Sequence, residues 1–190
     1  MEKPSAKSVL FENAMKLFRQ HGYENVTILQ ICRASDVTRN AFYYYFSSKE
    51  DLLSSYFDNV PDFTETLLKK LKTLPNDLEK LWFIFEEHIK RIENEGLSIC
   101  RAFIKVNIDG NGDFLTKYYV SETVTIPLLR SCQNSGQVKN MLEASKLIYL
   151  ATRMIAGILL AWCCKNGQFD LLGSSREAFR ALLAPLESET

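Results

Sequence analysis

Apolar residues recur at intervals of three and four along most of the chain, and nowhere do apolar and polar positions alternate for long. That spacing lines one face of a helix, so the pattern predicts an all-α protein. Over residues 7–21, Leu10, Ala14, Leu17, Phe18 and His21 share a face, and Gly22 followed by Tyr23 supplies a helix end. Thr27 with Gln30 three residues later is a capping-box pattern that opens a second helix. Ile28, Ile31 and Cys32 are expected to face inward there, with Leu29 as a further candidate. Val37 anchors a turn through Ser35 and Asp36, and a third helix follows from about Thr38 to Tyr44 or Tyr45. Ser47-Ser48-Lys49-Glu50 repeats the capping pattern and predicts a fourth helix from Ser47.

The rest of the chain reads as a series of longer helices. Val60-Pro61 marks a break, because proline disfavours the helical state in the residue before it. Residues 62–74 are amphipathic through Phe63, Leu67, Leu68 and Leu71. A new helix restarts at Leu74-Pro75-Asn76, runs through Trp82, Phe85 and Ile89 to Glu95-Gly96, and a shorter one covers 98–107. Residues 109–113 resemble a calcium loop, but Phe114 holds the place of the required glycine and Val120 that of the bidentate glutamate, so a turn is expected. Residues 114–133 form one pattern with Pro127 inside it, predicting a kink near Thr123. Residues 142–166 make a long, strongly apolar helix closed by Gly167, and Ser174 with Glu177 caps a last one. About nine helices result.

Composition agrees with a soluble globular chain: 46% of residues are hydrophobic and 24% are charged. The formal net charge is zero, but residues 1–49 hold seven Lys/Arg against four acids. A basic N-terminal segment on an acidic body suits contact with nucleic acid. Five cysteines, at 32, 100, 132, 163 and 164, lie mostly inside apolar helical runs. With no signal-peptide pattern in front of them, reduced thiols in a cytoplasm are expected. The longest uncharged apolar run, residues 154–164, falls short of the ~20 residues that span a bilayer, so no membrane role is expected.

Residues 27–53 carry the most specific chemistry. Three consecutive tyrosines end in Phe46, and each buried phenol would need a hydrogen-bond partner, so a row of them suits a surface that grips phosphates. Residues 9–53 resemble the DNA-binding region of the tetracycline-repressor (TetR) family of bacterial transcriptional regulators. The matching residues are Ala14, Leu17, Phe18, Gly22, Tyr23, Thr27, Ile31, Val37, the run Phe42 to Phe46 and the run Ser48 to Leu52. Two positions depart: Asp36 stands where the family usually has a turn glycine, and Asn40 where a small residue is common. The resemblance implies a helix-turn-helix DNA-binding domain over residues 1–50 and a helical ligand-binding and dimerisation domain over 51–190.

Thr38, Arg39 and Asn40 occupy the first turn of the third helix, the end that reaches base edges in this motif. Thr27, Tyr43, Tyr45 and Lys49 stand at positions that contact phosphates in the family, with Tyr44 as a further candidate. The family's last two helices form a dimer interface, which implies Leu150, Met154, Gly157, Ile158, Ala161, Phe179 and Leu183 for this chain. Trp82, Phe85, His88, Phe103, Asn107, Tyr118, Tyr119 and Arg153 are candidates to line an effector pocket. The expected partners are operator DNA, a second copy of the chain, and an apolar or aromatic effector of unknown identity. No metal or cofactor is expected. Two other classes compete. One is a redox sensor through Cys132 or Cys163/Cys164, although adjacent helical cysteines point about 100° apart and strain a bridge. The other is a helical enzyme, for which no P-loop, GxGxxG, HExxH or CxxC pattern is present.

Overall fold

The computed structural model describes residues 5–58, 65–109 and 122–184. Among the described residues there are nine α-helices, one 3-10 turn and no strand. The helices are α1 (Ala6–His21), α2 (Ile28–Ala34), α3 (Arg39–Tyr45), α4 (Lys49–Asp58) and α5 (Glu65–Thr73), then α6 (Asp77–Asp109), α7 (Glu122–Asn134), α8 (Ala144–Cys164) and α9 (Leu171–Leu183). The 3-10 turn, Tyr23–Asn25, joins α1 to α2. The expected break at Val60-Pro61, the calcium-like turn beyond Asp109, the first part of the helix predicted over 114–133, and Tyr118 and Tyr119 lie outside the described residues.

The chain divides into two compact units, one drawn from Met1–Asn59 with Glu95–Phe114, the other from Val60–Asn94 with Leu115–Thr190. The division falls beside Gly96, whose φ of 81° and ψ of 165° interrupt α6. Glycine takes such angles at little steric cost, which is why one apolar run ends at Glu95-Gly96 and another begins after it. Residues on both sides of the break join the N-terminal segment through ion pairs. Arg19 donates twice to Glu95, at 2.8 Å each, and Lys105 lies 3.0 Å from Glu24.

In the first unit Ser5 caps α1 by accepting the Ser8 N–H, and the Gly22 N–H donates to the Phe18 carbonyl at the other end. The buried stripe of α1 is Leu10, Ala14, Met15 and Phe18. His21, expected on that stripe, is exposed, and Met15 lies on it. In α2, Ile31 and Cys32 are buried but Leu29 is 45% exposed, because it sits two residues from Ile31 and so nearly opposite it on the helix. Asp36 takes the turn conformation in which glycine is usual, with φ of 52°. A non-glycine residue there carries steric cost. Asp36→Gly is therefore expected to raise the urea midpoint, by about 0.5–1 kcal/mol of stability; a lowered midpoint would show the turn is relaxed as it stands.

In the second unit Phe179 of α9 packs on Trp82 and Phe85 of α6, with ring centroids 5.4 Å and 5.1 Å apart. The cap of α9 differs from the expectation. Asp170 is the N-cap and accepts the Gly173 N–H at 2.9 Å, so the helix starts a turn before Ser174. Helix α8 has 21 residues and is long and apolar enough to cross a membrane by composition. Ten of its side chains, among them Leu147, Ile155 and Trp162, are buried, as in the core helix of a globular unit. Asn166 and Gly167, with φ of 54° and 71°, turn the chain out of it.

Candidate nucleic-acid interface

Each short helix of the reader is started by a side chain that the sequence supplies at the right place. Thr27 caps α2: its hydroxyl accepts the Gln30 N–H at 3.3 Å, and the Gln30 side chain accepts the Thr27 N–H at 2.8 Å. The turn after α2 is closed by N–H donors of Ser35, Asp36 and Val37 to carbonyls of Ile31, Arg33 and Cys32. Thr38 then caps α3 by accepting the Ala41 N–H at 3.2 Å. The start of α4 is a correction. Ser48, not Ser47, accepts the Asp51 N–H, and the Asp51 carboxylate reaches back to the Ser47 N–H and hydroxyl at 2.7 and 2.9 Å. The cap moves by one residue, and the returning carboxylate takes the N–H of the residue before the cap and not the cap's own.

Phe42 is the one buried residue of α3 and fixes the helix by one side. The rest of its surface is open, with Asn40 and Tyr44 opposite Phe42 and Arg39 one turn before it. Thr38, Arg39 and Asn40 are exposed, Tyr43 is 46% exposed and Tyr44 is 82% exposed. Arg39 and Tyr43 are one turn apart, and the guanidinium donates to the Tyr43 hydroxyl at 3.4 Å. Tyr45 is half-buried, its ring edge-on to Tyr44 with centroids 4.9 Å apart. Beside this face lies an open cleft of about 350 Å³, lined in part by Thr27 and Ile28 of α2, Tyr43 of α3, and Ser47, Ser48 and Lys49 at the start of α4. Of the candidate DNA contacts, Thr27, Tyr43 and Lys49 line this cleft and Arg39 reaches Tyr43, whereas Thr38, Asn40, Tyr44 and Tyr45 are not among its lining residues.

One cluster went unnoticed in the sequence. Tyr23 is buried, and its hydroxyl donates to Glu50 at 2.9 Å; burial first, then the Glu50 carboxylate, raises its pKa. Partial burial pushes the Glu50 carboxyl up, but bonds from its own N–H, from Tyr23 and from Ser48 outweigh that and hold it below the usual carboxylate range. Lys49 donates to the carbonyls of Tyr23 and Val26. The sequence signal was present, a tyrosine after Gly22 and a Lys-Glu pair at a helix start, but nothing in spacing alone links positions 27 residues apart.

The other predicted site residues are dispersed. Trp82, Phe85 and His88 are buried in the second unit, whereas Phe103 and Asn107 belong to the first. Asn107 donates to the Phe103 carbonyl and lines an acidic recess with Glu24, Glu50, Asp51 and Asp109. Arg153 stacks on the Tyr149 ring of its own helix. Around Trp82 and Phe179 the described residues leave a gap of only about 20 Å³. Along α8, Leu150, Gly157 and Ala161 are exposed and Met154 and Ile158 half-buried, but Phe179 and Leu183 of α9 are in the core at 2% and 1% exposure. Phe179 faces inward against Trp82 and Phe85, and Leu183 lines the same small gap as Trp82. Cys132 is buried and its thiol is pushed up to about 11, by burial first and the Asp77 charge second, so it is a poor thiolate source. Cys163 is buried and Cys164 exposed, on different sides of α8.

Residues 10–56 match the family described as bacterial regulatory proteins, tetR family. The regulator AcrR of Shigella flexneri is 32% identical over 194 residues, covering 96% of this chain and 89% of that protein. The chain belongs to the TetR family. Another relative, the HTH-type transcriptional regulator HbdR of Aromatoleum sp. (strain CIB), is 36% identical over 166 residues, with 82% of this chain and 68% of that protein covered. The probable acrEF/envCD operon repressor of Escherichia coli (strain K12) is 24% identical over 90% of this chain and 81% of that protein. Among solved structures, Thermus thermophilus FadR, a TetR-family repressor in complex with lauroyl-CoA, superimposes with a TM-score of 0.65 at 19% identity, over 97% of this chain and 96% of that one. The protein is accordingly a DNA-binding transcriptional regulator of a family whose named relatives include repressors.

Proposed function

We propose that two copies of the chain bind a pseudo-palindromic operator and that a small apolar effector releases them. The observation that carries this is the exposed surface of α3, where Thr38, Arg39, Asn40, Tyr43 and Tyr44 are open and Phe42 alone is buried. The major groove admits one helix, and its base pairs present distinct donor and acceptor patterns. Arg39 pairs with guanine in this scheme and Asn40 with adenine, while Thr27, Tyr43, Tyr44 and Tyr45 hold the sugar-phosphate backbone and set the register. Dimerisation through α8 is supported by its uncovered apolar side, on which Tyr149, Leu150 and Leu160 are 51%, 40% and 42% exposed beside Gly157 and Ala161. Small residues there let a second helix approach closely. Phe179 and Leu183 play no part in that contact.

The apolar interior of the second unit suits an apolar effector, and the acyl-CoA ligands of FadR structures from Thermus thermophilus and Bacillus subtilis make a long acyl chain the first candidate to try. Cytoplasmic location follows from the role. Arg39→Ala is expected to lower discrimination at one base pair per half-site by about 1–3 kcal/mol, while leaving binding to unrelated DNA nearly unchanged. Competition binding with single-base operator variants measures this. A uniform loss across all sequences would move Arg39 from base to backbone.

A further inference from the structure

Lys49 stands where the family resemblance implies a phosphate contact, yet its ammonium is already engaged. It donates to the carbonyl oxygens of Tyr23 and Val26, each at 2.9 Å, and lies 4.1 Å from the centroid of the Tyr23 ring. An ammonium has three N–H donors, and a ring face within ~6 Å attracts a cation. Two strong bonds and a ring contact leave at most one N–H for any other acceptor.

The two carbonyls it holds are at the start of α2. Tyr23 opens the 3-10 turn, its carbonyl also accepts the Val26 N–H at 3.3 Å, and Val26 precedes Thr27, the N-cap of α2. Tyr23 is pinned again by its hydroxyl on Glu50 and by its ring against Phe18, 5.0 Å between centroids. Lys49 and Glu50 are the first two residues of α4. The beginning of α4 therefore grips the turn that begins α2, and both helix starts line the same cleft.

We propose that Lys49 is a positioning residue for DNA binding: through its two carbonyl bonds, and not by its charge alone, it sets Thr27 and the start of α2 against Ser47 and Ser48. This rests on the cleft receiving the DNA backbone, as described under the proposed function. Lys49→Met deletes the ammonium at similar length, and Lys49→Arg keeps the charge but replaces a compact donor by a planar fork.

The experiment measures operator affinity against salt for wild type and both variants. It is done well below each thermal midpoint and corrected to the active fraction by stoichiometric titration, so lowered stability alone leaves the affinity unmoved. Both variants are expected to bind roughly tenfold or more weakly, consistent with losing hydrogen bonds from a charged donor. In Lys49→Arg the slope of log K against log salt is expected to stay within about 0.3 of wild type, because the charge is kept and only the carbonyl bonds are disturbed. A slope reduced by about 0.9 in Lys49→Met, with Lys49→Arg binding as tightly as wild type, would make Lys49 a direct phosphate contact and overturn the proposal. Unchanged affinity in both variants overturns it as well. If Lys49→Met does not fold, Lys49→Arg decides alone. Thr27→Ala and Tyr43→Phe serve as separate controls: if neither weakens binding, it is the placement of DNA in the cleft that fails.

Discussion

Phe42→Ala is expected to destabilise the protein by about 3–5 kcal/mol, the usual cost of emptying a fully buried phenylalanine site. Phe42 is 0% exposed and is the one buried residue of a seven-residue helix. A helix that short does not persist by itself, since isolated helices below about 12–15 residues are marginal in water. Its packing against the core, with Phe46 at 5.9 Å between centroids, is what keeps α3 formed. Domains of this kind have roughly 5–15 kcal/mol of total stability, so the variant would stand near its unfolding limit. Urea titration followed by circular dichroism measures the loss, and operator binding should vanish under conditions where the wild type is saturated. A cost under about 1 kcal/mol would mean that α3 is held by something other than Phe42.

The second large effect is a dependence on pH. His88 is 8% exposed, and burial, with the Arg91 charge adding to it, pulls its pKa from 6.5 down to about 3. The imidazole is then neutral in the folded protein at every ordinary pH. Above 6.5 neither the folded nor the unfolded chain protonates it, and its contribution is fully present. As pH falls from 6.5 toward 3 the unfolded chain takes up a proton that the folded chain refuses, so stability is lost. The limiting slope is about 1.4 kcal/mol per pH unit for one such group. Denaturant titrations of wild type and His88→Leu between neutral pH and about pH 4.5 isolate it, since carboxylate effects are common to both. The wild type should lose stability more steeply as pH falls. Parallel curves would mean that His88 is protonated in place.

Much of the reader was legible because its chemistry is local. A capping box needs residues three apart, and Thr27 with Gln30 is formed as the spacing predicts. Asp36 in the left-handed turn was foreseeable from the position it takes over from a glycine. The register of the α4 cap was not, because Ser47 and Ser48 are equally good caps and the choice is made by Asp51, which reaches a backbone N–H four residues back. The cap of α9 was missed for a related reason: Asp170 and Ser174 are both good caps, and only the longer helix brings Leu171 into the core. Long-range pairings were out of reach. Tyr23 with Lys49 and Glu50, and Arg19 with Glu95, depend on which helices meet, and no periodicity encodes that. The inward turn of Phe179 and Leu183 has the same origin, since an apolar helix face does not say whether it is covered by its own chain or by a second copy.

The central claim is that the open face of α3 reads DNA sequence in two symmetry-related copies, and selection of bound sequences from random duplex DNA tests it directly. The account predicts an enriched inverted repeat whose half-sites are centred about 34–36 Å apart, or a multiple of that spacing. It also predicts that Arg39→Ala, selected in parallel, loses preference at one base pair in each half. No enrichment above input, or the same motif from the Arg39→Ala protein, would contradict it.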